Sequence, residues 1–249
     1  MISKIIHYCW FGGNDLPESE KRCIASWSKI LPDYQIQRWD ESNFDVTQNS
    51  YVYEAYQRKK YAFVSDYVRL YALVTQGGIY MDTDVEVIQR LDEFLSLEAF
   101  SGFENYESIS TGLMGSVQGF RGFDELLHQY DDRHFIQPDG TLDRTTNVKV
   151  ITDYYFQRGL KRNNTKQMVE GFTVFPSQYF CPALEDRKIS MKGVYTIHYK
   201  NGSWLTEKER KKRQTLGCML KSKIKYVLKN LFGNKAYDSL MIFIRKSNK

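Results

Sequence analysis

Only four cysteines occur in 249 residues, at positions 9, 23, 181 and 218, and none stands at a CxxC or other metal-ligand spacing. That excludes a cysteine-built metal site and suits reduced thiols in a cytosolic protein. No window approaches 18 continuous apolar residues, so no membrane-spanning helix is expected. The opening MISKIIHYCWFGG has too short an apolar run, and turns polar too soon, for a signal peptide. Internal repeats and low-complexity segments are lacking, as is any Pro/Gly/Ser-rich linker before residue 205.

What is present suffices for a packed core. Apolar residues make up 42% of the chain and aromatics 15%, including 18 Tyr, so disorder is not the default. The formal net charge of +5 is unevenly spread: from Leu205 onward there are 13 Lys/Arg against 3 Asp/Glu, leaving the preceding 204 residues at a net −5. A mildly acidic globule with a basic tail follows, with boundaries at 1–204 and 205–249.

Along the globule, strands are expected at 2–11, 34–39, 79–81, 85–88, 99–103, 109–117, 171–175 and 194–199. Helices are expected at 17–30, 52–59, 61–76, 120–130 and 147–158. This alternation implies an α/β fold, one domain around a mixed, mostly parallel central sheet. In the 61–76 helix, Phe63, Val64, Tyr67, Val68, Tyr71 and Val74 form an apolar stripe, with Asp66 and Arg69 on an adjoining face.

The most informative segment is YAFVSDYVRLYALVTQGGIYMDTDVEV, residues 61–87. Asp82-Thr83-Asp84 follows directly on the apolar strand Ile79-Tyr80-Met81, and Gly77-Gly78 closes the preceding helix. Ligands of open α/β sheets bind outside the carboxyl ends of strands, which is where these acids fall. An Asp-X-Asp is common by chance and also suits a solvated turn. Asp66 and Arg69, three apart on a helix, suit an ordinary salt bridge. Trp10 suits a core position, and His198 in IHYKNGSW suits a structural one. Together, however, these residues offer hard oxygen ligands for Mn²⁺ or Mg²⁺, a hydrogen-bonding carboxylate and a fixed guanidinium. That set is suited to the diphosphate and sugar of a nucleotide sugar, with the cation stabilising the leaving phosphate. His198 could complete the shell, since imidazole is acceptable to Mn²⁺.

Three segments, KIIHYCWFGG, KKYAFVSDYVRLYALVTQGGIYMDTDVEV and IHYKNGSW, span residues 4–204 in an order that resembles glycosyltransferase family 32. This is the DXD-containing sugar-binding type, similar to bacterial capsule transferases and to the catalytic core of clostridial glucosylating toxins. The resemblance implies a GT-A (Rossmann-like) fold and retaining transfer from a nucleotide sugar, UDP-linked before GDP-linked. It also implies roles for particular residues. Trp10 would stack on the base beside the Cys9 backbone. Ser65, Asp66 and Arg69 would grip sugar and diphosphate, and Asp82 and Thr83 would meet the donor. Asp82, Asp84 and His198 would hold the metal, while Ser203 and Trp204 close over the diphosphate. Asp66, Arg69 and Asp84 are the expected catalytic set, and Gly112–Ser116 and Thr145–Asn147 would border the acceptor. No residue stands out as a nucleophile, so positioning and electrostatics would carry the reaction.

In the tail, Leu220, Ile224, Val227, Leu228 and Leu231 share one helical face opposite Lys221, Lys225 and Lys229. A basic amphipathic helix of this kind suits peripheral contact with an anionic membrane, the alternative being that its apolar face packs on the globule. The expected setting is the inner face of a bacterial plasma membrane, with a glycan or lipid-linked saccharide acceptor from surface-polysaccharide synthesis. No base-reading motif supports nucleic-acid binding. Two rivals remain: a phosphatase-type Asp-X-Asp hydrolase, whose motif normally closes the first strand, and a non-catalytic carbohydrate- or cation-binding module.

Overall fold

A computed structural model describes residues 1–182, 191–200 and 202. The basic amphipathic segment, Cys218, Ser203 and Trp204 lie outside the described residues. All the elements below belong to one unit, Met1–Asn201.

The chain opens β1 (Ile5–Cys9), α1 (Glu18–Ile30), β2 (Gln35–Trp39), α2 (Ser50–Gln57), α3 (Tyr61–Gln76), β3 (Gly78–Met81). It continues β4 (Val85–Val87), a 3-10 turn at Asp92–Phe94, β5 (Ala99–Asn105), β6 (Ser108–Ser116), α4 (Arg121–His128) and α5 (Asn147–Gln157). The described part closes with β7 (Gln167–Val169), β8 (Phe172–Phe175), α6 (Ser177–Phe180) and β9 (Thr196–His198). The expected helices and strands are all found, with ends shifted by a few residues. The 3-10 turn, β7 and α6 are additions, each three or four residues long and too short to carry a period.

Seven strands form one sheet in the order β2-β1-β3-β6-β5-β8-β7. It is mixed: β1 pairs in parallel with β2 and β3, β5 with β8, and the other three pairings are antiparallel. The parallel trio matters for position. The order β2-β1-β3 makes a topological switch point between β1 and β3, the crevice where α/β proteins bind ligands. Cys9 closes β1 on one side of it and Asp82 follows β3 on the other.

Strand alternation divides the core between the two sheet faces. Tyr80 joins the α2–α5 side, whereas Ile79 and Met81 join the α1 side with Trp27, Phe94 and Phe180. α3 is buried around most of its circumference: Phe63, Val64, Tyr67, Val68, Leu70, Ala72 and Leu73, but also Asp66 and Arg69. It stops at Gly77, whose φ of 66° suits glycine and whose N–H closes on the Leu73 carbonyl at 3.0 Å. His7 ties this corner to β1. The indole N–H of Trp39, which can only donate, meets His7 Nδ1 at 3.1 Å, so Nε2 carries the proton toward the Gly77 carbonyl at 2.8 Å. Burial holds the His7 pKa below the ordinary histidine value, so the ring is neutral.

Cys9, Cys23 and Cys181 are free and buried. Among the described residues no helix is long and apolar enough to cross a membrane.

Candidate active site

Asp82 lies one step beyond β3, where its N–H extends the β3–β6 ladder by donating to the Gly112 carbonyl at 2.8 Å. The chain then turns, Val85 N–H returning to the Asp82 carbonyl at 3.0 Å, so Thr83 and Asp84 sit at the tip. Beyond the turn, β4 pairs with β9 as a separate two-stranded ribbon in which Val85 stands opposite His198. This register brings His198 to Asp84 and Asp82, 114 and 116 residues away in sequence. Its Nε2 lies 3.2 Å from Asp84 Oδ1 and 3.8 Å from Asp82 Oδ2.

Asp82 divides its oxygens between two environments. Oδ2 faces His198, while Oδ1 accepts from Tyr80 Oη at 3.1 Å and from Arg69 Nη2 at 3.3 Å. Arg69 is only 5% exposed. Its remaining donors go to the Thr111 carbonyl (2.7 Å) and the Ser65 carbonyl (3.4 Å), and its Nη2 also lies 3.3 Å from Asp66 Oδ1. The guanidinium stacks 4.7 Å from the Tyr80 ring centroid. Its charge is thus committed to two aspartates inside the protein.

Asp66 is equally enclosed. Its Oδ2 accepts from the backbone N–H of Asn147, the first residue of α5, and a carboxylate at a helix N-terminus is favoured by the macrodipole. Asn147 Nδ2 donates to the Asp66 carbonyl, and Tyr130 Oη donates to Asn147 Oδ1 at 2.6 Å. Burial raises the Asp66 pKa and outweighs the neighbouring Arg69. Asn147 is fully buried with its amide engaged at both ends, so it is bound to α3 rather than bordering an acceptor space. Similarly, Leu113–Ser116 lie in the sheet interior, and only Gly112 of that segment reaches the cluster. A Cβ at Gly112 would lie 2.5 Å from the His198 ring.

His198 is itself enclosed. Burial opposes its charge, but hydrogen bonding to Asp84 and Cys181 and the negative charge of both aspartates lift its pKa to about 10. Cys9 sits behind Asp82, and burial pushes its thiol up to about 12, which removes it as a nucleophile. Ser65 returns its hydroxyl to the Tyr61 carbonyl at 3.0 Å. Trp10, half-buried, donates its indole N–H to the Asn14 carbonyl at 2.6 Å at the end of β1. Thr83 is half-buried at the turn.

The donor set fits a hard divalent cation. One ligand atom each from Asp82, Asp84 and His198 can lie within 4.8 Å of one another, and two carboxylates with one imidazole suit such an ion. When bound, the cation would act as a Lewis acid toward a diphosphate. Sequence reasoning missed Tyr80 and Tyr130 as parts of this assembly, and it named Gly112 and Asn147 only as a border to the acceptor. Tyr80 left a faint signal, a phenol inside an otherwise apolar strand two residues before Asp82.

Residues 17–101 match the family model described as a glycosyltransferase sugar-binding region containing a DXD motif. The resemblance read from the sequence therefore holds, and the aspartates of the cluster fall inside the matched region. The chain is similar to inositol phosphoceramide mannosyltransferase 3 of Schizosaccharomyces pombe, 33% identical over 126 residues, which cover 47% of this chain and 34% of that protein. It is also similar to the uncharacterized glycosyltransferase L373 of Acanthamoeba polyphaga mimivirus, 28% identical over 82% of this chain and 84% of that one. Among solved structures, the PaToxG glycosyltransferase superposes with a TM-score of 0.45 at 18% identity, covering 63% of this chain and 68% of its own. The chain thus spans about a third of the yeast relative's length.

Proposed function

We propose that this protein is a metal-dependent, retaining glycosyltransferase that moves a sugar from a nucleotide-sugar donor to a glycan or lipid-linked saccharide. The observation that carries the reading is the Asp82–Asp84–His198 cluster at the carboxyl end of β3, inside a DXD sugar-binding region. Mn²⁺ suits the imidazole ligand better than Mg²⁺, which prefers an all-oxygen shell.

In this reading the cation would be held by Asp82 Oδ2, Asp84 and His198 Nε2. Trp10 and the Cys9 backbone would border the base at the β1/β3 crevice, with Ser65 and Thr83 as further donor contacts among the described residues. Arg69 acts by fixing Asp66 and Asp82, since its guanidinium faces inward. Asp66 presents a carboxylate whose position is set from three sides, suited to a sugar hydroxyl. With the Cys9 thiol neutral and buried, catalysis rests on positioning and on charge stabilisation at the leaving phosphate.

The donor is UDP-linked by resemblance, and the yeast relative named as a mannosyltransferase adds mannose to the sugars worth testing. The setting is the inner face of a bacterial plasma membrane in surface-polysaccharide synthesis, with the basic segment from residue 205 as the membrane contact. Thermal stabilisation and nucleotide release should be measured across UDP- and GDP-sugars with Mn²⁺ and with Mg²⁺. One donor should stabilise the protein and release its nucleotide only with metal. Silence across all donors would overturn the reading, and phosphate release without a sugar nucleotide would favour a hydrolase.

A further inference from the structure

The β4–β9 ribbon carries Asp84 at its entrance and His198 within it, yet each strand has only three residues. Two short strands alone are marginally stable, so something else must hold them. Along a strand, successive backbone groups point to opposite sides, so one side of β4 faces β9 and the other needs a partner. That partner is the side-chain surface of α1. Trp27 Nε1 donates to the Val85 carbonyl at 2.7 Å, and Val87 N–H donates to Ser26 Oγ at 2.9 Å. Ser26 spends its own proton on the Cys23 carbonyl at 2.5 Å, leaving its oxygen free to accept. Trp27 is fully buried and packs edge-on to Tyr8 of β1, which anchors the indole to the main sheet.

We infer that Ser26 and Trp27 are positioning residues for the metal cluster: α1 takes the place of a third strand and sets where Asp84 and His198 stand. Neither side chain is placed against the cation or donor. The Val85 carbonyl that Trp27 holds belongs to the residue directly after Asp84 and opposite His198. Loss of that bond removes one constraint on the ribbon, which keeps its turn bond from Val85 N–H to the Asp82 carbonyl and its ties to α6, and lets it shift against the Asp82 side chain, which is held by Tyr80 and Arg69. The span between a ligand on the main sheet and two on the ribbon then becomes variable. Metal affinity is what this loosening reduces.

This inference rests on the metal reading above, and the experiment separates the two. Mn²⁺ is titrated into the full chain well below its unfolding temperature, alone and with excess UDP or GDP, reading free Mn²⁺ by electron paramagnetic resonance. The probe proteins are the native chain, Trp27→Phe, Ser26→Ala and Leu126→Ala. The last opens a cavity in α4, whose buried Leu126 lies on the other face of the sheet. Trp27→Phe should raise the Mn²⁺ Kd about tenfold, within the range for groups that orient metal ligands, and Ser26→Ala should raise it in the same direction. Leu126→Ala should lower Tm without moving Kd. An unchanged Kd in both α1 variants overturns the inference, as does an equal Kd rise in Leu126→Ala. Should Trp27→Phe fail to fold, Ser26→Ala decides. No Mn²⁺ bound by the native chain under any of these conditions overturns the metal reading itself.

Discussion

The two walls of the Asp82–Asp84–His198 cluster are built by different means. One wall, Asp82 with Asp66 and Arg69, is cast into the main sheet and α3, where nearly every polar atom has a buried partner. The other, Asp84 and His198, stands on a short ribbon held from outside by side chains of α1. The first wall derives its rigidity from a buried charge network, the second from burial of Val85 and Val87 and from hydrogen bonds that tie β4 to α1 and β9 to α6. The cluster therefore depends on two separately anchored parts of the fold, and its geometry holds only while both are seated.

The harshest way to break the first wall is Arg69→Met. It leaves Asp66 and Asp82 without their counter-charge, and removing one member of a buried pair costs about 3–5 kcal/mol. Denaturant unfolding should show a loss of that size, and activity should vanish with it. Asp84→Asn acts on the second wall alone. Metal-dependent nucleotide release should fall below detection while the cooperative unfolding transition persists; normal turnover in this variant would falsify the ligand assignment. Gly112→Ala tests where the walls meet, because the new methyl collides with the His198 ring. Overpacking of this kind costs about 1–3 kcal/mol, and Mn²⁺ affinity should drop as the imidazole is displaced. Tyr130→Phe strips one hydrogen bond from Asn147 behind Asp66. A stability loss of about 1 kcal/mol is expected by urea titration, with the lower turnover falling on kcat more than on donor KM.

The smallest effect concerns pH. His7 has an ordinary value of 6.5 when unfolded and a lower one in the fold, where burial keeps it neutral. Below about pH 6.5 the unfolded chain takes up a proton that the folded protein refuses. This contribution to stability is therefore complete above that pH and is lost as pH falls toward the folded value. Nitrogen-15 spectra at about pH 7.5 should show the His7 ring neutral with its proton on Nε2; a proton on Nδ1 would contradict the Trp39–His7–Gly77 hydrogen-bond chain.

Much of the first wall was legible because its parts are local. Asp66 and Arg69 share one helical face, and Asp82 follows a short apolar strand after a Gly-Gly stop. These spacings survive translation into one dimension. Arg69 shows the limit: its spacing from Asp66 was readable, but not that its guanidinium turns inward to Asp82 and the Thr111 carbonyl. Asn147 was misread for a related reason. Its position at the start of α5 was evident, but not that the helix end points at Asp66, 81 residues away. Gly112 was legible only as part of a loosely matched segment, not as the gap that admits His198, and Tyr130 left no pattern at all. A missing side chain and a buried phenol have no period.

By itself the sequence determined the order of elements, the α/β class and the local pairs of the 61–87 segment, because alternation, helical spacing and glycine stops act over a few residues. Only the tertiary structure decided that Arg69 serves the protein interior, that Gly112 makes room for His198, and that α1 stands in for the absent strand beside β4. Those are decisions of packing. Each depends on which buried donor reaches which acceptor once distant segments are pressed together, and an unpaired buried group costs enough to settle the matter.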